Sequence, residues 1–253
     1  FISLTGNQIG VMLISYIIEA RKLLGTLPEN ACVIKSIVST PLADKICNMN
    51  GVNCMSVLTG FKFIGEKMTE FERTNEHTFI FGFEESYGYL TGSYARDKDA
   101  VVASLLVTEM ACFYAKQGKT LYDVLCEIYE KYGYYIEGVD NFVFPGTEGA
   151  EKMKNLMQSL RDKTPERIGG KKVLVVGDYL TGFFKFYDGA SREIGLPKSN
   201  VLQFVLDGGD YVFIRPSGTE PKVKVYYFSS DEMREKAQSK IDDYKNEFKA
   251  ILA

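Results

Sequence analysis

Hydrophobic spacing changes once along this chain, near Gly133, and that change limits its possible folds more than any other feature. Upstream, β-branched runs alternate with stretches whose apolar residues recur every three to four positions. Residues 7–24 carry Val11, Leu13, Ile14, Ile17 and Ile18 at helical spacing, with Thr5 or Asn7 as N-cap and Gly25 as stop. A strand is expected over 31–38, a helix over 41–50, a strand over 53–58, a helix over 62–71 and a buried strand over 78–82. Helices over 99–117 and 121–132 follow, with Gly118 as the C-cap between them. Strands alternating with helices in this way predict an α/β unit built on a mainly parallel sheet.

Downstream, strands are expected over 136–144, 172–178, 201–206, 211–216 and 222–228. A helix over 148–163 lies among them, and a charged helix over 231–252 closes the chain. Asp207-Gly-Gly-Asp210 is a hairpin signal between two of these strands. Hairpin-connected strands with one helix before and one after predict an α+β arrangement. The expected fold class is therefore α/β with two domains. A mixed or mainly parallel α/β sandwich covers 1–136, followed over 137–253 by an α+β domain with an antiparallel sheet and flanking helices.

Composition narrows the function classes. The 253 residues are 45% hydrophobic and 25% charged, with a net charge of −3. A chain of this size buries about three quarters of its surface, so no metal or disulfide is needed to hold a core. The pI of 5.5 argues against nucleic acid as a partner. The longest apolar run, residues 11–18, is far short of the roughly 20 that span a bilayer, so no membrane partner is expected. Five cysteines, odd in number and without a C-x-x-C, indicate reduced thiols and a cytoplasmic setting. A single histidine, His77, makes any histidine-based triad or multi-histidine metal site depend on one residue, and its polar surroundings place it on the surface. The opening FISLTGNQIG lacks an initiator Met and the features of a signal peptide, and reads as the start of a fragment.

Five segments carry chemistry. Arg215-Pro-Ser-Gly-Thr-Glu-Pro221 sits between two apolar strands and offers a guanidinium fork, two hydroxyls and an accessible backbone, with Lys222 and Lys224 beyond. Those groups suit a phosphate dianion; a plain turn beside a solvated Arg accounts for them equally well. Glu84, Glu85 and Ser86 follow a buried strand. They are suited either to vicinal sugar hydroxyls or to the start of a helix. Arg96-Asp-Lys-Asp99 reads as a phosphate-facing pair of cations or as a solvated charge run with Asp99 as N-cap. Thr59-Gly60-Phe61-Lys62 is a βα loop, where α/β proteins place ligand contacts. Lys35 lies inside an apolar strand, where a Lys more often snorkels from a sheet edge than faces a ligand. What these segments share is suitability for an anionic, hydroxyl-rich ligand.

Thr59-Gly-Phe-Lys-Phe-Ile-Gly65, Gly82-Phe-Glu-Glu-Ser-Tyr-Gly88, Arg96-Asp-Lys-Asp99 and Arg215-Pro-Ser-Gly-Thr-Glu-Pro221, in this order and spacing, resemble the α-D-phosphohexomutases, in particular the bacterial phosphoglucomutase type. The family enzyme has four domains around a cleft, and this chain resembles the third and fourth. The resemblance implies that Glu84 and Ser86 bind sugar hydroxyls and that Arg215, Ser217, Gly218 and Thr219 bind the substrate phosphate. It implies further cleft positions at Lys98, Lys35, Thr59, Gly60 and Phe61. Mannose-accepting relatives have Gly-Glu-Met-Ser and a His in the Thr-Gly loop; here Glu85 and Phe61 tilt the reading toward glucose.

The reaction implied for the whole enzyme interconverts glucose 1-phosphate and glucose 6-phosphate through a phosphoserine and a bisphosphate intermediate, with Mg²⁺ and glucose 1,6-bisphosphate. Alternatives are a phosphomannomutase or phosphopentomutase of the same superfamily, or a sugar-phosphate-binding module without catalysis. The family's phosphoserine loop, Thr-Ala-Ser-His-Asn-Pro, does not occur in this sequence. Its metal-binding aspartate loop is not matched either, since Asp207-Gly-Gly-Asp210 reads as a turn. The resemblance therefore implies a non-catalytic portion that works with the N-terminal domains of the same polypeptide.

Overall fold

The computed structural model describes every residue except Thr147, Thr219 and Ala253, and of Leu252 only the backbone. The chain divides into two compact units, Phe1–Gly133 and Tyr134–Ala253.

The first unit begins with helix α1, Gly6–Leu23. Thr5 caps it: its hydroxyl accepts from the Gln8 N–H and the Gln8 side chain returns the bond to the Thr5 N–H. Strand β1 (Ala31–Ser36), helix α2 (Leu42–Met49), strand β2 (Asn53–Val57), helix α3 (Phe61–Thr74) and strand β3 (Thr78–Glu84) follow. A short strand β4 (Gly88–Leu90) and helices α4 (Ala100–Ala115) and α5 (Leu121–Tyr132) complete the unit. The sheet order is β2-β1-β3-β4, with β1 parallel to both neighbours and β4 antiparallel to β3. The sheet is mixed rather than wholly parallel.

Side-chain alternation explains the layering. Cys32 and Ile34 of β1 face one side, where Phe61, Ile64, Met68 and Phe71 of α3 pack on them. The α1 side is close enough that a Cβ at Gly10 would lie 2.6 Å from the Phe83 ring, so only glycine is accommodated there. The chain leaves β1 for β2 on one side, then crosses back to β3 on the other. This creates a topological switch point between the carboxyl ends of β1 and β3, the place where open α/β sheets bind ligands.

The second unit is one antiparallel sheet with a helical face. Its strands are β5 (Tyr134–Val143), β6 (Arg167–Ile168), β7 (Lys171–Asp178), β8 (Phe183–Phe186), β9 (Ser191–Glu193), β10 (Leu202–Leu206), β11 (Tyr211–Pro216) and β12 (Lys222–Asp231). The order is β5-β12-β11-β10-β7-β8-β9, with β6 paired to β7. The first strand pairs with the last over ten residues, from Tyr134 opposite Asp231 to Val143 opposite Lys222. Helices α6 (Gly149–Asp162) and α7 (Arg234–Leu252) cover one face. Leu202, Phe204, Val212, Ile214, Val225 and Tyr227 meet Leu160, Ile241, Tyr244 and Phe248 there. Burying side chains of this size contributes roughly 1.5–3 kcal/mol each.

The Asp207–Asp210 segment is a tight turn, with Gly208 and Gly209 at φ 94° and 88°. The carboxylate of Asp210 accepts from the Tyr244 hydroxyl at 2.7 Å and the Ser230 N–H at 2.9 Å, and lies 3.6 Å from the Lys240 ammonium. No helix among the described residues is long and apolar enough to cross a membrane.

Candidate functional site

The carboxyl ends of β1, β2 and β3 open toward one rim of the first sheet, and most of the expected residues of this unit meet there. Glu84 is the last residue of β3, and it starts a hairpin rather than a helix. Glu85, Ser86 and Tyr87 form the turn, and Tyr87 takes φ 64°, a left-handed position unusual for an aromatic residue. The Tyr87 hydroxyl is tied to the Leu4 carbonyl at 3.1 Å. Gly6 lies flush against the turn: any side chain there would overlap the Glu85 carbonyl.

The two carboxylates behave differently. Glu84 Oε1 accepts from the Gly60 N–H at 2.7 Å, so it sits at the N-terminal end of α3, where a negative charge is favoured. Gly60 itself, at φ 117°, adopts a conformation that L side chains avoid. Glu85 Oε2 accepts from the Ser36 hydroxyl at 3.3 Å, and Ser36 shares a 2.9 Å hydrogen bond with Ser39. Ser86 is exposed at the hairpin tip, and Thr59 is half-buried beside Gly60. Lys98 reaches across from the 91–99 segment. Its ammonium lies 5.9 Å from the Phe61 ring centroid and 3.0 Å from Asp97 Oδ1. That hydrogen bond holds the Asp97 carboxyl below its ordinary range.

Two readings of single residues are corrected. Lys35 does not snorkel from an edge, because β1 is flanked by β2 and β3 and the residue is 2% exposed. Its ammonium donates to the Ser39 carbonyl at 3.2 Å and pairs with Asp44 at 3.2 Å. His77 is not a surface residue. Its ring packs edge-on against Phe71 at 5.1 Å, and Nδ1 is buried without a partner among the described residues. Phe71, in the last turn of α3, covers one side of the ring.

Arg96 is not a free cation: its guanidinium, though 38% exposed, donates to Thr69, Ser93 and Ala95 and meets Glu72. Ser36 and Ser39, absent from the sequence reading, bracket the end of β1. Small hydroxyl residues where a buried strand meets its loop were the available signal.

In the second unit, the β11–β12 connection holds Arg215 at its root. Arg215 lies directly across from Lys224 in the ladder; neither is within ion-pair distance of a described carboxylate, although Glu220 is near enough for the Lys224 charge to act on it. Lys222 pairs instead with Glu220, which holds that carboxyl below its ordinary range. The Ser217 N–H donates to the Lys222 carbonyl at 2.8 Å, and Gly218 is exposed with open space where a Cβ would be. Thr219, the remaining residue expected to hold phosphate, lies outside the described residues.

Among the described residues, no group of three His, Cys, Asp or Glu is placed to hold a metal ion. Asp210 is already engaged by Tyr244, Ser230 and Lys240, so the Mg²⁺ implied by the resemblance has no fitting donor set here. All five cysteines are free. Burial pushes the Cys32 thiol up to about 12, and a hydrogen bond with Cys47, followed by burial, raises the Cys54 thiol well above its ordinary value.

The profile described as "Phosphoglucomutase/phosphomannomutase, alpha/beta/alpha domain III" matches residues 5–132. The C-terminal domain of the same family matches residues 151–240. The chain belongs to the phosphoglucomutase/phosphomannomutase family. Phosphoglucomutases of Staphylococcus haemolyticus and Staphylococcus aureus are each 38% identical to it over 222 residues, which is 87% of this chain and 39% of theirs. The chain thus spans about two fifths of the length of these phosphoglucomutases. The fold is also that of pp63/parafusin from Paramecium in its open form, with a TM-score of 0.65 at 18% identity, covering 100% of this chain and 41% of that one. A phosphoglucomutase/phosphomannomutase family protein of Burkholderia thailandensis gives 0.54 at 14% identity, over 98% and 42% of the two chains.

Proposed function

We propose that this chain is the sugar- and phosphate-binding portion of a phosphoglucomutase that interconverts glucose 1-phosphate and glucose 6-phosphate. The observation that carries the phosphate half of this reading is the cross-strand pair Arg215 and Lys224. Like charges placed directly opposite in a ladder destabilise it unless an anion is shared between them. A dianion seated at the Ser217–Gly218 loop neutralises both cations and uses the fork of Arg215. In this role Thr219 contributes a second hydroxyl.

In the first unit, Glu84 and Ser86 accept from and donate to sugar hydroxyls, with Glu84 pre-aligned by its bond to Gly60. Lys98 supplies positive charge at the same rim, and Thr59, Gly60 and Phe61 form its floor. Lys35 supports the rim from beneath, through Asp44 and Ser39. A mutase that turns its substrate end for end needs these groups to hold the sugar in both orientations, and such transfer depends largely on positioning and charge neutralisation. The phosphoserine and the Mg²⁺ loop belong, on this reading, to N-terminal domains of the same polypeptide.

Isothermal titration calorimetry tests the assignment. The chain is expected to bind glucose 1-phosphate weakly and Arg215→Ala to abolish the heat; equal affinity for that variant overturns the phosphate site. With Mg²⁺ and glucose 1,6-bisphosphate the chain alone is expected to show no mutase turnover. Measurable turnover would mean that a phosphoryl donor lies among these residues.

A further inference from the structure

We propose that Arg96 is the positioning residue for Lys98: it locks the 91–99 segment onto α3 and so determines where the Lys98 ammonium stands at the sugar rim. This deepens the sugar-phosphate reading given above and rests on it.

Arg96 is held by both its backbone and its side chain. Its carbonyl lies against Gly65, where any Cβ would overlap it. Its Nε donates to Thr69 Oγ1 at 3.1 Å, and Nη2 meets the Glu72 carboxylate. Residues 65, 69 and 72 form one stripe along α3, so a single helix face receives the whole residue. Nη1 then turns back to the Ser93 and Ala95 carbonyls at 2.6 and 3.1 Å, stiffening its own segment. A lysine cannot replace this, because four acceptors in different directions need the planar fork.

The far end of the segment is anchored separately. The Asp99 N–H donates to the Tyr89 carbonyl at 3.0 Å, and the Asp99 side chain accepts from Tyr94 at 2.7 Å while capping α4. Lys98 lies between the two anchors. Its side chain passes Gly88, where a Cβ would come 3.1 Å from Lys98 Cδ, and ends over Phe61. Removing the Arg96 anchor frees one end, and Lys98 with it.

Two measurements on the 253-residue chain decide this. The first reads Lys98 directly by NMR, through the ring-current shift that Phe61 imposes on its side-chain methylenes, assigned by comparison with Phe61→Leu. In Arg96→Ala this shift is expected to collapse while the amide shifts of the α1 helix stay in place; a retained shift overturns the proposal. Should that variant fail to fold, Glu72→Gln and Thr69→Val remove single contacts and are expected to reduce the shift; no change in either overturns it equally.

The second uses calorimetry with glucose 1-phosphate on Arg96→Ala, Lys98→Ala and the double variant. Each single variant is expected to weaken binding about fivefold. The double variant is expected to be no weaker than Lys98→Ala, because Arg96 acts only through Lys98. Arg96→Lys is expected not to restore affinity. Additive losses, as a general structural role would produce, overturn the proposal. If the unsubstituted chain binds no glucose 1-phosphate, the sugar-phosphate reading fails while the NMR shift still decides the role of Arg96.

Discussion

Asp210 shows how a residue with a ligand-like surrounding sequence can be wholly structural. Its carboxylate is 2% exposed as part of the residue and joins the β10–β11 turn to α7 through Tyr244, and to β12 through Ser230. The Tyr244 hydroxyl is correspondingly harder to ionise, mainly because it is buried and then because it donates to Asp210. Tyr244→Phe leaves a buried carboxylate oxygen short of a donor and is expected to cost about 2 kcal/mol in urea unfolding. An unchanged midpoint and slope would show that the hydroxyl contributes nothing. The Gly-Gly centre of this turn was readable from sequence, because only the turn needs two successive positive φ values. The partners of Asp210, 20 and 34 residues away, were not, since no local pattern encodes which distant hydroxyl reaches a carboxylate. Lys35 and His77 were misread for the same reason: each environment is set by strand order and helix cover rather than by neighbours in sequence.

Elements with a strong period or marked ends were legible and those with neither were not. Helices α1, α3 and α5 and the long apolar strands fall close to their expected ranges. So does α4, which is apolar on all sides and is marked by its Asp99 cap and Gly118 rather than by a period. Strand β4 has three residues, β9 is Ser-Arg-Glu with no apolar side chain, and β8 is four residues long. None supplies enough alternation to stand out. At the rim, the residue types of Glu84, Ser86 and Lys98 were legible, but the hairpin that presents the first two was not, because β4 was invisible. Helix α4 offers a pH test at this scale. Asp99 caps it by accepting from the Val101 and Val102 N–H groups, and together with Tyr94, which contributes most, these bonds lower its pKa. A depressed folded-state pKa means that the cap is fully formed above the ordinary value of about 3.9 and is lost as pH falls through the lower folded value. The Val101 amide proton is therefore expected to titrate with a midpoint below about 3.9 and to lose that step in Asp99→Asn. A midpoint at or above the ordinary value would show that the cap is not formed in solution.

At the scale of the whole molecule, each unit holds its own hydrophobic core, one around α3 and β1 and one between α6, α7 and the large sheet. Segments 1–133 and 134–253, expressed separately, are each expected to unfold in one cooperative transition by circular dichroism. A segment that stays unfolded alone would show that its core is incomplete without the other. Within the second unit, Phe204→Ala, at a fully buried position, is expected to cost about 3–5 kcal/mol, read as a shift in that segment's midpoint.

The ten-residue ladder between β5 and β12 bears on how the second unit forms. During synthesis, β5 leaves the ribosome before almost every other residue of its sheet and must wait for the strand made nearly last. Closing so long a loop costs entropy before any ladder bond offsets it, which favours slow sheet completion. Until β12 arrives, β5 has neither of its edges paired, and the edge that β12 later takes is one that a nascent-chain binder would have reason to occupy.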